Sequence, residues 1–489
     1  MNDLRDFVRL LKSKNELLVI DREVDSFLEI TEIADRVSKA GGPALLFARP
    51  KGSSIPVLVN QFGSERRTAL GLRVDSLDEL GAKVKALLDV GLPTGLRDKL
   101  AALAKLKTLA SLAPKTVREA PCQEVVYKGE QVDLHRIPVL QCWPDDGGRF
   151  ITLPLVFTRD PLTGRPNTGM YRMQVYDRNT TGMHWHIHKD AADHLRRAGT
   201  RLEAAVAIGS DPGVTYAATA PVPKVLDEMM LAGFLRGRPV DMVRCLTVDL
   251  AVPAHAEIVL EGYVEVDELR VEGPFGDHTG FYSPADRYPV FHVTALTHRR
   301  DPIYAATVVG RPPMEDCYLA KATERLFLPL LQMVVPEVVD MDLPMEGSFH
   351  NCVLVSMRKN YPQQARKVMN AVWGIGQLQF TKFVVVFDAD VDVHDYAEAA
   401  WYAFSNVDPT RDVMLGEGPL DVLDHASPHP NWGGKMGIDA TRKRPDEGYE
   451  REWPVEIVMS SEVKARVDAY WPELASRLET RRKPRRRGV

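Results

Sequence analysis

With 489 residues, the chain exceeds one ordinary domain and has material for about two to four. Its 45% hydrophobic and 26% charged residues are those of a globular protein with a large core, and a net charge of −5 excludes a nucleic-acid binder that works through an overall basic field. Five cysteines (Cys122, Cys142, Cys245, Cys317 and Cys352) are odd in number and lack CxxC spacing, which fits reduced thiols in the cytoplasm better than disulfides or a zinc ribbon. The N-terminus has no uninterrupted apolar core of a signal peptide, and no apolar run reaches the roughly eighteen residues of a membrane span. A cytoplasmic protein is expected.

Residues 1–115 read as an N-terminal α/β domain. Leu4, Phe7, Val8, Leu10 and Leu11 form a helical stripe ahead of the strand-like LLVI. Ser26 and Glu29 have capping-box spacing before ITEIADRVSKA, and Gly41 and Gly42 stop that helix. Strands ALLF and VLVNQF follow, then helical stretches around 76–90 and 96–112, and LAPKTVREAPC reads as a linker.

Over 116–315 short apolar runs recur between turn signals: EVVY, ITLPLVFT, GMYRMQVYD, MHWHIH, AAVAIG, EIVLEGYVEV, PVFHVTALTH and IYAATVV. This spacing predicts an antiparallel sheet closing into a barrel, interrupted by one helix over roughly Lys224 to Arg236. Over 316–460 the α/β alternation returns, with a long helix at 318–333, strands CVLVSM and KFVVVF, and helices over 362–373 and DYAEAAWYAF. The run from 414 to 455 reads as loops. Residues 461–489 close the chain as one helix and a basic tail, RRKPRRR, either a solvated end or a contact for an anionic membrane surface.

Four constellations could carry chemistry. In NTGMYRMQVYD, Arg172 is either a surface ion pair or a bidentate carboxylate binder, and Met170, Tyr171 and Met173 around it suit a pocket wall. In HWHIHKD, His184, His186 and His188 alternate, so on a strand all three face one way. They would then serve a His₃ zinc hydrolase, or a hard-cation site using one histidine with amide and carboxylate oxygens. Glu228 opens the helix inside the barrel region, where a carboxylate either complements the helix dipole or binds metal. EGPFGDHTGFYS, from Glu272 to Ser283, places Glu272 and Asp277 on a turn-rich segment after a strand. Alone it reads as a solvated loop; near an arginine, two carboxylates can divide acid and base roles.

Taken with GGPALLFARPKG, APCQEVVYKGEQVDLHRIPVLQCWP, GRPP, TKFVVVFDADVDV and GGKMGIDAT, these segments resemble the UbiD family of decarboxylases nearly end to end. The resemblance implies an N-terminal α/β portion, a central split β-barrel that binds prenylated FMN, and a C-terminal α/β dimerisation domain with a final helix. It implies reversible decarboxylation of an aromatic acid, with 4-hydroxy-3-polyprenylbenzoate in ubiquinone-type synthesis as the default. A menaquinone-pathway or smaller (hetero)aromatic acid is the alternative. It further implies a separate flavin prenyltransferase as cofactor supplier and a homodimer or homohexamer, with contact at the inner-membrane surface as a further option. Residue by residue, Asn167, His188 and Glu228 match ligands of a divalent ion, usually manganese, with potassium nearby. Thr152, Asn167, Met170, Tyr171, Arg172, His184, Trp185, His186 and Lys189 match the flavin site, and Lys382 a phosphate contact. Arg172, Glu272 and Asp277 match the catalytic trio, with Asp277 as the proton donor.

Overall fold

The computed structural model describes residues 1–88, 110–186, 189–222 and 227–479, in two compact units, 1–441 and 442–489. The expected helix at 96–112 lies almost wholly outside the described residues, as do His188 and the basic tail.

The first unit begins with the amphipathic helix Leu4–Ser13, which buries Leu4, Phe7 and Leu11. The adjoining sheet runs Leu17–Val24, Ala44–Pro50, Val57–Val59 and Tyr304–Ala305. Its last member comes from IYAATVV, which pairs parallel to Val57–Val59 and so belongs to this sheet, not to the barrel. The capping box is also corrected. Helix Glu29–Lys39 starts behind Leu28 with no side-chain cap, Glu29 accepts from the Asp25 N–H, and the Ser26 hydroxyl accepts from Arg149. The supposed linker contains a strand, Lys115–Val117, parallel to Asp241–Arg244.

The central sheet is antiparallel throughout, in the order Thr180–Gly182, Asp286–His298, Ile258–Glu272, Arg201–Ile208, Leu155–Arg159 and Pro166–Met170, with Val125–Lys128 added beside Asp286–His298. Among the described residues the pairing path stays open between its two ends, a split barrel and not a closed one. Strand Arg201–Ile208 explains the layering. Val206 and Ile208 face one core with Ile258, Leu260 and Phe291, while Ala205 and Ala207 face a second with Met229 and Ala232 of helix Glu228–Arg236. Alternate residues of a strand point to opposite faces, so one strand serves two cores. Residues 183–186 of the HWHIH run have no regular structure, so His184 and His186 do not sit on the expected strand, and His188 lies outside the described residues.

The long helix Glu315–Val334 leads into a five-stranded sheet ordered Val338–Asp342, Cys352–Met357, Phe383–Asp388, Trp432–Asp439 and Val413–Pro419, parallel in the middle and antiparallel at both edges. Its last two strands lie in the run expected to be loops; their glycines, in MLGEGP and WGGKMGID, hide the strand pattern. In the second unit the closing helix is two, Ser461–Asp468 and Trp471–Glu479, and Pro472 occupies the first turn of the latter, where its missing N–H costs nothing. No helix among the described residues is long and apolar enough to cross a membrane.

Glu257, fully buried, ties the N-terminal helix to the central sheet. It accepts from Arg5 Nε at 2.9 Å, Arg299 Nη1 at 3.2 Å and the Ile303 N–H at 3.1 Å. Removing one member of a buried ionic group strands the others. Glu257→Ala is expected to lower unfolding free energy by about 3–5 kcal/mol. A denaturant midpoint like that of the wild type would contradict this.

Candidate active site

Glu272 ends the strand Ile258–Glu272, and the hairpin Phe275–Gly276 with Tyr282–Ser283 carries Asp277 just beyond it. The hairpin is held from behind. Asp146 accepts from the Gly276 N–H at 2.7 Å and from the N–H groups of Cys142 and Trp143. A side chain at Gly276 would put its Cβ 2.1 Å from the Trp143 ring, so glycine is required for this approach. Arg172 lies between the strands Pro166–Met170 and Met173–Gln174, not on either.

These elements bring the expected trio together. Arg172 donates through Nε to Glu272 Oε1 at 2.9 Å and through Nη2 to Oε2 at 3.3 Å, while Nη1 donates to Asp277 Oδ2 at 2.6 Å. The guanidinium sits 4.4 Å over the Phe275 ring. His184 Nδ1 lies 3.0 Å from Glu272 Oε2, and its ring packs on Tyr288. On the far side of Asp277, Oδ1 lies 2.9 Å from His278 Nδ1, whose Nε2 is 2.9 Å from His350 Nε2.

Burial alone would raise the Glu272 carboxyl, but the His184 hydrogen bond and the Arg172 charge outweigh it and hold it below its usual range. Burial also opposes ionisation of Asp277; the His278 bond and charge, then Arg172, prevail and hold it well below its usual range. Asp277 is therefore a carboxylate in this geometry, so the expected proton donor must acquire its proton. His278 loses by burial but gains more from Asp277, and is pushed up to about 9. Burial lifts Asp316 to about 6.

A cavity of 320 Å³ joins this cluster to Thr152, Met170, Tyr171, His184, His186 and Lys189 on one side and to Gln377, Phe380, Leu420 and Leu423 on the other. Seven of the residues matched to the flavin site thus share one cavity. Trp185 is buried in the core behind it. Lys382 does not line the cavity and is paired with Asp424. Glu228, at the start of helix Glu228–Arg236, reaches the strand that carries Asn167: its Oε2 accepts from the Thr168 N–H at 3.1 Å. Burial pushes Glu228 up to about 7, and the buried Asn167 amide nitrogen has no partner. The Glu228 carboxylate, short of positive charge, and the carbonyl oxygen of the Asn167 amide are oxygen ligands of the kind a hard cation takes. Elsewhere Glu324, Asp342 and His394 bring ligand atoms within 4.8 Å, but Lys321 bonds both carboxylates and Arg325 pairs with Glu324, so that group is already charge-balanced.

His278 and His350 were not among the expected site residues. The position of His278 next to Asp277 was a usable signal; nothing in the local sequence marks His350.

Three family profiles of 3-octaprenyl-4-hydroxybenzoate carboxy-lyase match the chain: the N-terminal domain over 8–84, the Rift-related domain over 115–312 and the C-terminal domain over 317–440. Among solved structures, the vanillic acid decarboxylase of Sedimentibacter hydroxybenzoicus in its closed form is 29% identical, with a TM-score of 0.82 over 98% of this chain and 99% of that one. The UbiD-class enzyme HmfF of Pelotomaculum thermopropionicum, in complex with FMN, is 29% identical, with a TM-score of 0.80 over 96% and 100%. An evolved dimeric form of HmfF, in complex with prFMN, is 28% identical, with a TM-score of 0.78 over 95% and 98%. An uncharacterized protein of Archaeoglobus fulgidus is 55% identical over 477 residues, 96% of this chain and 98% of its own. The fold and these matches define a carboxy-lyase. The chain belongs to the UbiD family. Membership of a carboxy-lyase family replaces the zinc-hydrolase alternative.

The Asp277–His278 pair predicts how stability varies with pH. Asp277 contributes stability above its usual value of 3.8, lost as pH falls through its depressed value. The contribution of His278 is complete below its usual 6.5 and is lost as pH rises to about 9. Wild-type protein should thus lose stability across that alkaline window, and Asp277→Asn should flatten the loss, as read from denaturant midpoints at each pH. Equal slopes in both proteins would contradict the pairing.

Proposed function

We propose that the protein is a prenylated-FMN-dependent, reversible decarboxylase of a small aromatic or heteroaromatic carboxylic acid. The observation that carries this reading is Arg172 clamped between Glu272 and Asp277 at a 320 Å³ cavity whose opposite wall includes Phe380, Leu420, Val422 and Leu423. A planar acid suits such a site: carboxylate on the guanidinium, ring between apolar walls. The similarity to a vanillic acid decarboxylase supports a small acid better than the polyprenylated benzoate.

Breaking a C–CO₂ bond leaves an electron pair that no side chain can accept, and prenylated FMN, when bound, supplies that sink. Thr152, Met170, Tyr171, Arg172, His184, His186 and Lys189 would line it. Asn167 and Glu228, with His188, would hold a divalent cation such as manganese at its phosphate, with potassium nearby. Lys382 would reach that phosphate only by leaving Asp424. Trp185 supports the wall from the core. A flavin prenyltransferase supplies the cofactor, and the chain works as a homo-oligomer.

The protein's own groups divide the rest of the work. Arg172 takes the substrate carboxylate while Glu272, bonded to it through two oxygens, fixes the plane of the guanidinium. A substrate carboxylate that draws Nη1 from Asp277 removes part of the charge that keeps a proton off that residue. Asp277 then carries the proton that replaces CO₂ on carbon.

The test uses protein made alongside a flavin prenyltransferase and a panel of aromatic acids that includes vanillic acid, followed by CO₂ release and H/D exchange. Turnover of a small acid is expected, and Asp277→Asn should reduce it by about 10²–10⁴-fold while keeping the flavin absorbance. Turnover confined to a polyprenylated benzoate would overturn the substrate class, and an unimpaired variant the role of Asp277. Glu228→Gln should lose manganese and flavin together on metal analysis and spectroscopy; full occupancy of both would count against ligation.

A further inference from the structure

The decarboxylase reading leaves one partner of Asp277 without a task. Asp277 Oδ1 accepts from the backbone N–H of His278 and faces its ring Nδ1, both at 2.9 Å. The other ring nitrogen, Nε2, lies 2.9 Å from Nε2 of His350, and the ring stacks on Phe349 at a centroid distance of 5.0 Å. His350 comes from the turn between Met345–Gly347 and the strand Cys352–Met357, on the C-terminal side of the cavity.

Proton counting restricts this arrangement. An ionised carboxylate only accepts, so Nδ1 of His278 donates to Asp277. Two imidazole nitrogens at hydrogen-bond distance share one proton, so one donates and the other offers a lone pair. With the proton on His278 Nε2, His278 is an imidazolium and His350 is neutral. The surrounding charge selects that state. Asp277 and Arg172 face the pair from the barrel side, Asp316 from the start of helix Glu315–Val334, and Asp421 and Asp424 from the C-terminal loop. Asp424 is itself paired with Lys382, and Arg172 with Glu272 and Asp277, which leaves Asp316 and Asp421 to favour a positive charge on His278. Burial, then the charge on His278, pushes His350 down to about 4, so only His278 holds the charge at neutral pH.

We propose that His278 reloads Asp277 with its proton in each turnover, and that His350 fixes the His278 ring for the transfer. This rests on the decarboxylase reading for the use of that proton. In the step, the Nδ1–H bond of His278 breaks, its electron pair stays on Nδ1, and an O–H bond forms at Asp277 Oδ1. Asp277 passes the proton to the substrate carbon, where it takes up the electron pair left by the departing CO₂. One proton is consumed for each carboxylate lost. His278 regains it from water, since its side chain is 22% exposed and lines the same cavity. His350 neither gains nor loses a proton; it accepts from Nε2 and keeps Nδ1 aimed at Oδ1. Both histidines are thus positioning residues that act through Asp277.

Two readouts test this on the full chain. In ¹⁵N-histidine-labelled protein without substrate, the His278 ring signal, identified by its loss in His278→Gln, should titrate at about 9. It should fall by about one pH unit or more in Asp277→Asn. Titration at or below the ordinary 6.5 would overturn the proposal. In flavin-loaded enzyme, His278→Gln should lower kcat by about 10²-fold, with KM within about twofold, and abolish the alkaline limb of the kcat–pH profile. His350→Gln should lower kcat less and shift that limb. His278→Ala should recover rate with added imidazole, which a merely structural loss would not allow. Wild-type kcat and an intact alkaline limb in a folded His278→Gln would overturn the assignment. Failure of the wild type on every acid would instead overturn the decarboxylase reading, and the ring titration would still decide whether His278 holds the proton.

Discussion

The site depends on one arginine that neutralises two buried carboxylates. Glu272 is fully buried and Asp277 nearly so, and each would be costly to ionise without Arg172. Because Arg172 stands between short strands and the carboxylates stand at the end of a long one, the ion cluster also fixes the relative placement of those segments. A substrate carboxylate therefore enters an existing charge balance: it adds a third negative group to one guanidinium, and the acid that shares Nη1 with it, Asp277, is the one whose proton affinity rises. Glu272 keeps its bonds to Nε and Nη2 and its contact with His184.

The surrounding architecture serves this balance. The antiparallel sheet gives two cores, one facing the cavity residues and one facing helix Glu228–Arg236, so the trio and the proposed cation ligands share a rigid frame. Helix Glu315–Val334 begins beside the site. Its first residue, Glu315, accepts from the N–H groups of Asn60 and Phe62 at 3.1 and 2.8 Å, while the next, Asp316, faces His278. One helix start thereby connects the N-terminal sheet to the proton-handling side of the cavity.

Much of this was legible in the sequence, for identifiable reasons. Strands such as CVLVSM and EIVLEGYVEV carry runs of apolar or alternating residues, and both formed. Glycine-rich strands at 413–419 and 432–439 were not legible, because their pairing comes from neighbouring strands and not from side-chain pattern. HWHIH imitates strand alternation, but residues 183–186 are irregular and bring His184 onto Glu272, a tertiary demand that local pattern cannot show. The trio was readable as a motif only through resemblance to a family; locally, EGPFGDHTGFYS was an ordinary loop. The missed partner, His350, lies 72 residues from His278, and only the packing of the C-terminal sheet against the barrel joins them.

The clamp behind the hairpin separates two properties of the cavity. Asp146 and Trp143 hold the Gly276 backbone from the barrel side, and Trp143 itself donates to the Val309 carbonyl at 2.9 Å. The acid is thus set by contacts that never touch the residues at 377–423, which close the cavity from the other side. The apolar side chains of that far wall, Phe380, Leu420, Val422 and Leu423, are free to change size without moving Asp277, whereas Asp421 belongs to the charge around His278. A fold partitioned in this way can diversify the acids it accepts while its proton chemistry stays constant.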